Sequence, residues 1–251
     1  MHADVVDLRD FYRSPLGQVA RRMVNRRMRQ LWPSVAGLSV LGLGYATPFL
    51  GRLAEEADRV VACMPAGQGV LAWPPDGPNR ATIGEDGELP FPAQFFDRIL
   101  IVHALEGTEQ VRPMLREAWR VLAAGGRMVI VVPNRRGLWA RRDMTPFGHG
   151  HPYSAGQLSR LLRDCLFTPV QTTQALFVPP FRWRMLQRAA LAWEQVGERW
   201  FPRFAGLVMI EATKQIYAAT PARAKAGRRE RLAAPAPMRP VGARRGRDPA
   251  P

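Results

Sequence analysis

Residues 89–134, LPFPAQFFDRILIVHALEGTEQVRPMLREAWRVLAAGGRMVIVVPN, constrain the fold more than any other part of the chain. Asp97–Val102 (DRILIV) is an apolar run of strand length, Glu109–Leu122 carries apolar residues at helical spacing, and Met128–Val132 (MVIVV) is β-branched and continuous. Neither strand alternates apolar with polar residues, so both are expected to be buried on two faces. Strands of that kind joined by a helix pair in parallel, in a sheet with helices on both sides. Gly125-Gly126 is placed to end the helix through a positive φ, and Pro133 to end the second strand where a ladder N–H is no longer needed. With 251 residues, 47% of them hydrophobic, the chain suits one α/β domain with short additions.

The flanking sequence supplies the rest of such a sheet. Leu38–Pro48 (LSVLGLGYATP) reads as strand, glycine turn and helix, with Thr47 able to cap and Pro48 suited to the first helical turn. In doubly wound folds that turn lies beside the point where strand order reverses, and a ligand can approach backbone that has no Cβ. Gly42 and Gly44 suit that role. Arg59–Cys63 (RVVAC) is a second strand, and Ala81–Asp86 (ATIGED) resembles a third with its following turn. Ser154 can cap a helix running to Asp164, Phe167–Val178 holds a strand, and Gly206–Tyr217 reads as the last one. Between these two strands Arg182–Trp200 reads as an extra helix, whose Trp183, Leu186, Leu191, Trp193, Val196 and Trp200 form core, a subunit contact or a pocket wall.

Ahead of the sheet, Ser14-Pro15 starts an amphipathic helix with Leu16, Val19, Met23, Val24, Leu31 and Trp32 on one side and Arg22, Arg26 and Arg29 on the other, ended by Pro33. It either packs on the domain or lies on a membrane surface. The formal net charge is +15, unevenly spread: residues 1–36 carry seven basic against three acidic residues, 37–219 twenty against sixteen, and 220–251 nine against two. The last stretch, rich in Ala, Pro, Arg and Gly, holds too few large apolar side chains to offset the entropy of ordering, so a disordered basic tail is expected. Such a tail attracts nucleic acid or anionic lipid weakly and nonspecifically, or is simply solvated. The expected organisation is a helical segment at 1–36, an α/β domain at 37–218 and the tail at 219–251.

Cys63 and Cys165, both in apolar surroundings, read as structural thiols of a reducing compartment. No zinc spacing, signal-like start or membrane-length apolar run is present, so a soluble cytoplasmic protein without a metal is expected.

The succession LPF, FD, HALE, then R-VL-AGGR before a strand resembles the central segment of class I S-adenosylmethionine-dependent methyltransferases, small-molecule type, and more weakly the likeness runs across residues 37–217. It implies a doubly wound, Rossmann-like sheet, mostly parallel with an antiparallel final strand, and S-adenosyl-L-methionine as cofactor. Carried over by position, the family's cofactor contacts fall on Gly42, Gly44 and Tyr45 at the glycine turn, on Glu85 or Asp86 near the adenine amino group, and on His103 after the fourth strand. Glu85 and Asp86 also read as plain loop acids, and His103 as structural. The chain departs from the family pattern where Gly42 stands in place of the acid, where Ala46 and Pro48 replace later glycines, and where Gly107 follows the Leu-Glu pair in place of His. Met64, at the end of the second strand, stands where a carboxylate normally takes both ribose hydroxyls, and Gln68 or a backbone group is the candidate to compensate in part.

Residues 134–153 (NRRGLWARRDMTPFGHGHPY) form a long loop at a strand's carboxyl end, where function usually sits. Arg135, Arg136, Arg141 and Arg142 favour an acidic or phosphorylated acceptor, or face solvent in a plain insertion. His149 and His151 lack a third metal ligand and could act in acid–base chemistry. The expectation is a methyltransferase with an unidentified, small and acidic acceptor, whose catalytic residues the sequence leaves unknown. A noncatalytic interaction protein of the same fold, and a basic nucleic-acid or membrane binder, are the alternatives.

Overall fold

The computed structural model describes residues 3–142, 144–180, 194, 196–197, 199–200 and 204–215. Seven strands, β1 (Ser39–Gly44), β2 (Arg59–Pro65), β3 (Ala81–Gly84), β4 (Phe96–Val102), β5 (Leu122–Pro133), β6 (Phe167–Ala175) and β7 (Leu207–Lys214), form one sheet in the order β3-β2-β1-β4-β5-β7-β6. The pairs among β1–β5 are parallel, and β7 runs antiparallel to both β5 and β6. This is the mixed, doubly wound sheet implied by the family pattern.

The continuous apolar strands divide their side chains between two cores. Val40, Ala62, Leu100, Val102 and Val131 point to one side, while Leu41, Leu43, Cys63, Ile99, Ile101 and Ile130 point to the other. The first side is covered by α1 (Val5–Arg13), α2 (Pro15–Leu31) and α3 (Thr47–Ala54), the second by α4 (Val111–Val121) and α5 (Ala155–Asp164). Period-2 alternation in strands buried on both faces therefore places a helix layer on each side.

α2 begins where Ser14 accepts from the Gly17 N–H at 3.1 Å, with Pro15 in the first turn. Its Val19, Met23, Val24, Met28 and Leu31 are buried in the core. At roughly 2 kcal/mol per buried large side chain, lifting this face off the sheet would cost about 10 kcal/mol. That decides between the two roles open to the helix: it packs on the domain, and its apolar face is unavailable to a membrane. Among the described residues no helix is long and apolar enough to cross one.

Three local expectations are corrected. α4 ends at Val121 with Leu122 already extended (φ −73°, ψ 132°), so Gly125-Gly126 does not cap it. Gly125, at φ 73°, instead lies in the irregular start of β5, where the register shifts between the Phe96↔Leu122 and Arg98↔Arg127 pairs. Thr47 is the first residue of α3 and not its cap; the N-cap is Ala46, and no side chain closes that end. The helix before α2 was not anticipated: α1 is capped by Asp4 accepting from the Val6 N–H at 2.7 Å and buries Val5, Leu8 and Tyr12. On β6 the ladder to β7 is interrupted between Pro169 and Gln171. Of the anticipated helix at 182–200, Trp183, Leu186, Leu191 and Trp193 lie outside the described residues, as does the tail at 219–251.

A carboxylate is buried in the strand layer. Glu211 of β7, 1% exposed, accepts from Trp32 Nε1 at 3.1 Å and lies 3.3 Å from Arg127 Nη1. Arg98 stacks over the Trp32 ring at 5.9 Å, its pKa lowered by burial and by Arg127 and supported in part by Glu211.

Both cysteines are free and buried. Burial pushes the Cys63 thiol up to about 12. The unfolded thiol ionises near 8.5, so above that pH the unfolded chain releases a proton that the folded chain keeps. Stability is therefore fully present below pH 8.5 and falls as pH rises toward 12, by about 1–2 kcal/mol at pH 10. Thermal melts at pH 8 and pH 10 check this: Cys63→Ala should be less alkali-sensitive than the parent, and equal sensitivity would discount the thiol.

Candidate cofactor crevice

β1 and β4 are adjacent, yet the helix after β1 packs on one face of the sheet and the helix after β4 on the other. Their carboxyl ends therefore diverge and leave a crevice at the reversal of strand order, the place where open α/β sheets take ligands. Gly44 ends β1 at φ 79°, and a Cβ there would fall on Val102 O and lie 2.7 Å from Ala104 Cβ. Only glycine lets β1 leave the sheet this close to β4. Gly42 is different in kind: an added Cβ would lie 2.6 Å from Leu50 Cδ1, so this glycine seats α3 on the sheet.

His103 is the polar centre of the crevice. It holds φ 53°, uncommon for a residue with a Cβ, and is 4% exposed. Its Nε2 shares a 2.8 Å hydrogen bond with the Tyr12 hydroxyl, and its carbonyl accepts from Gln68 Nε2 at 2.7 Å. Its Nδ1 lies 3.2 Å from Glu106 Oε1. That contact lacks hydrogen-bond geometry, and neither oxygen of the buried Glu106 carboxyl group has a hydrogen-bond donor. Gln68 Oε1 is likewise buried without a donor. Burial, then the nearby Glu106 and Tyr45, holds the Tyr12 phenol well above its ordinary value, so it stays protonated through the physiological range.

α1 roofs this arrangement. The Val5 N–H donates to Gln68 O at 2.9 Å, and the Tyr12 ring stacks on Tyr45 at 6.0 Å and meets Phe49 edge-on at 5.5 Å. The 134–153 loop closes another side. Phe147 lies 4.8 Å from the His103 ring and meets Trp139 and Phe11 edge-on, while the His151 N–H donates to Glu106 O at 2.8 Å. Trp139 is buried, with Nε1 donating to Val178 O at 2.7 Å. The loop thus packs through its aromatic residues and leaves Arg135, Arg136, Arg141 and Arg142 exposed. Tyr153 is raised by burial and by Glu106. His149 and His151 are exposed, and among the described residues no three His, Cys, Asp or Glu side chains are grouped to hold a metal.

Of the anticipated contact residues, the fold brings Gly44, Tyr45 and His103 together. Gly42 lies deeper in β1, and Glu85 and Asp86 follow β3 at the sheet edge, where Glu85 bridges to Glu88. Met64 is fully buried at the end of β2, so no carboxylate stands at that strand end. Tyr12 and Glu106 were not anticipated as site residues. Two signals were available: Val5, Leu8 and Tyr12 are spaced for one helical face, and Glu106 follows His103 by three residues at a strand's carboxyl end.

Residues 41–130, which span β1 to β5, match the family model of the methyltransferase domain. The match covers 90 of the 251 residues and likens that part of the chain to the class I S-adenosylmethionine-dependent methyltransferases. S-Adenosylmethionine is the cofactor of that family. An uncharacterized protein of Methanocaldococcus jannaschii is 26% identical over 153 residues, 58% of this chain and 70% of its own length. A methyltransferase structure from Thermotoga maritima superposes with a TM-score of 0.60 at 17% identity, covering 84% of this chain and 96% of its own. The 1,6-didemethyltoxoflavin N1-methyltransferase of Burkholderia thailandensis, solved with S-adenosylhomocysteine, gives 0.51 at 18% identity, covering 81% and 79%. At these identities the structural likeness shows the fold alone.

The residues around the crevice suit this cofactor. S-Adenosylmethionine brings ribose hydroxyls and an ammonium group, all donors, and Gln68 Oε1 and the Glu106 carboxylate are buried acceptors that lack them. A buried acceptor without a donor costs roughly 1–3 kcal/mol, which a donor-rich ligand would relieve.

Proposed function

We propose that the chain is an active methyltransferase, binding S-adenosylmethionine in the crevice beneath α1 and passing its methyl group to an acceptor. The observation that carries this reading is the pair of donor-starved acceptors, Gln68 Oε1 and Glu106, at the reversal point of strand order. When bound, the cofactor supplies an electrophilic sulfonium methyl. The chain's part is to bind, orient and exclude water, which accounts for most of the rate in such a displacement and requires neither a nucleophile nor a metal from the protein.

In this reading Gln68 takes a ribose hydroxyl in place of the carboxylate missing at Met64, and Glu106 takes the ammonium group. Gly44 lets backbone approach the ligand, and Tyr45 lines the turn. Glu85 or Asp86 faces the adenine amino group, and His103 orients the methionine end. Tyr12 and Phe147 keep water out. The exposed arginines of the 134–153 loop favour a small acidic acceptor. A charged ribose partner contributes roughly 1.5–3 kcal/mol and a neutral one roughly 0.5–1.5, so the exchange removes about 1–1.5 kcal/mol and binding about one decade weaker than a carboxylate would give is expected.

Isothermal titration with S-adenosylmethionine and S-adenosylhomocysteine tests this, with saturable one-to-one heat expected for both. No heat and no thermal shift at millimolar ligand would refute it. That result would favour a noncatalytic interaction protein, the reading supported by the buried Met64 and by the Tyr12 and Gln68 side chains that reach His103 across the crevice.

A further inference from the structure

We propose that the groove between α2 and α3 binds the phosphodiester backbone of a nucleic acid. Arg21, Arg22, Arg26 and Arg29 of α2 and Arg52 of α3 line a groove of about 480 Å³. All five arginines are exposed. Arg29 is paired with Glu56 at 2.7 Å, and Arg21 Nε donates to the Pro48 carbonyl at 2.8 Å, which fixes that guanidinium on the groove wall. Arg22, Arg26 and Arg52 have no ion pair among the described residues.

Like charges one helical turn apart destabilise a helix, so Arg22 and Arg26 on one stripe cost stability until an anion joins them. The planar guanidinium fork matches phosphate oxygens bidentately. From Arg22 to Arg29 the stripe runs about 10 Å along the helix axis, a line of positive charge longer than one phosphate group occupies. A linear polyanion fits it better than a single phosphate.

A lipid surface fits less well. Peripheral helices hold a membrane through an inserted apolar face, and here that face is spent on the core, with Val19, Met23, Val24, Met28 and Leu31 buried. No large apolar side chain of α2 or α3 is exposed. Arg21 ties the groove to Pro48 at the start of α3, so a backbone lying in it would pass the rim of the β1–β4 crevice. The inference rests on charge and shape alone and does not depend on methyl transfer.

The test is fluorescence anisotropy of a labelled twelve-nucleotide oligouridylate with the full chain between 50 and 200 mM salt. The expected result is that R22Q/R26Q weakens binding about tenfold or more at 50 mM and flattens the slope of log affinity against log salt by about 1.4, at about 0.7 per lost phosphate contact. R160Q/R163Q removes the same charge from exposed positions on α5 and should bind as the parent does. Circular dichroism and a thermal melt confirm that both variants are folded. If the two double variants weaken binding equally, bulk charge and not the groove is responsible, and the proposal fails. It fails also if R22Q/R26Q matches the parent. Sedimentation with phosphatidylserine–phosphatidylcholine vesicles is the last arm: vesicle binding that depends on Arg22 and Arg26, without oligouridylate binding that does, would assign the groove to lipid and overturn the proposal.

Discussion

Gly44→Ala is expected to destabilise the domain by about 3 kcal/mol. Two costs add. A side chain in the left-handed region costs roughly 1–2 kcal/mol, since Gly44 holds φ 79°. Forcing a carbon into the packed space at Val102 O and Ala104 Cβ costs roughly 1–3 kcal/mol more. For a domain of this size each kcal/mol lowers Tm by about 2–4 °C, so differential scanning calorimetry should show a drop of about 10 °C. Gly37→Ala separates the costs, because Gly37 is also left-handed, at φ 72°, with open space around it; it should lose only the first. Equal losses in the two variants would show that Gly44 serves its dihedral angle and not its approach to β4. Because the same contact sets where β1 leaves the sheet, Gly44→Ala should also weaken S-adenosylmethionine binding at temperatures where it remains folded.

Glu211→Ala should cost about as much or more, roughly 3–5 kcal/mol, by a different route. Its carboxylate is the anion shared by the Trp32 N–H, Arg127 and, at longer range, Arg98. Removing it leaves the buried Trp32 N–H without an acceptor and the partly buried Arg98 without its supporting anion. The reverse change to glutamine is milder, because a glutamine can still donate to the Glu211 carboxylate, which also keeps the Trp32 N–H and the nearby charge of Arg98. Glu211→Ala should therefore lower Tm by about 10 °C and Arg127→Gln by only a few degrees. Similar losses would mean that pairing, and not burial of the acid, sets the energetics.

Legibility in the sequence followed how local the governing physics is. The strands around Leu89–Asn134 could be read because a strand buried on both faces must be apolar throughout, and nothing else in the chain competes with that pattern. Ser154 announced its helix because the cap is built by its neighbours, with Gln157 closing a capping box. Gly125 misled for the converse reason: the helix already turns into strand at Leu122, under the demand of pairing with Phe96, a partner 26 positions away. The crevice was legible only where its residues lie on strand ends, as Gly44 and His103 do. Tyr12 reaches His103 across 91 positions, and Gln68 does so across 35, contacts that no local spacing encodes. Glu106 was within local reach, but its significance depends on burial without a donor, a property of the finished packing.

The interruption in β6 has a consequence for how copies of this protein meet. β6 is the last strand of the sheet on its side, and Pro169 breaks its ladder where Val170 stands 53% exposed. An incoming strand laid along that border would meet a backbone whose register is already shifted beside the proline. The opposite border, β3, is only four residues long. Neither margin offers the long unbroken backbone template on which strands of separate molecules align, so edge-to-edge polymerisation into fibrils is disfavoured at both.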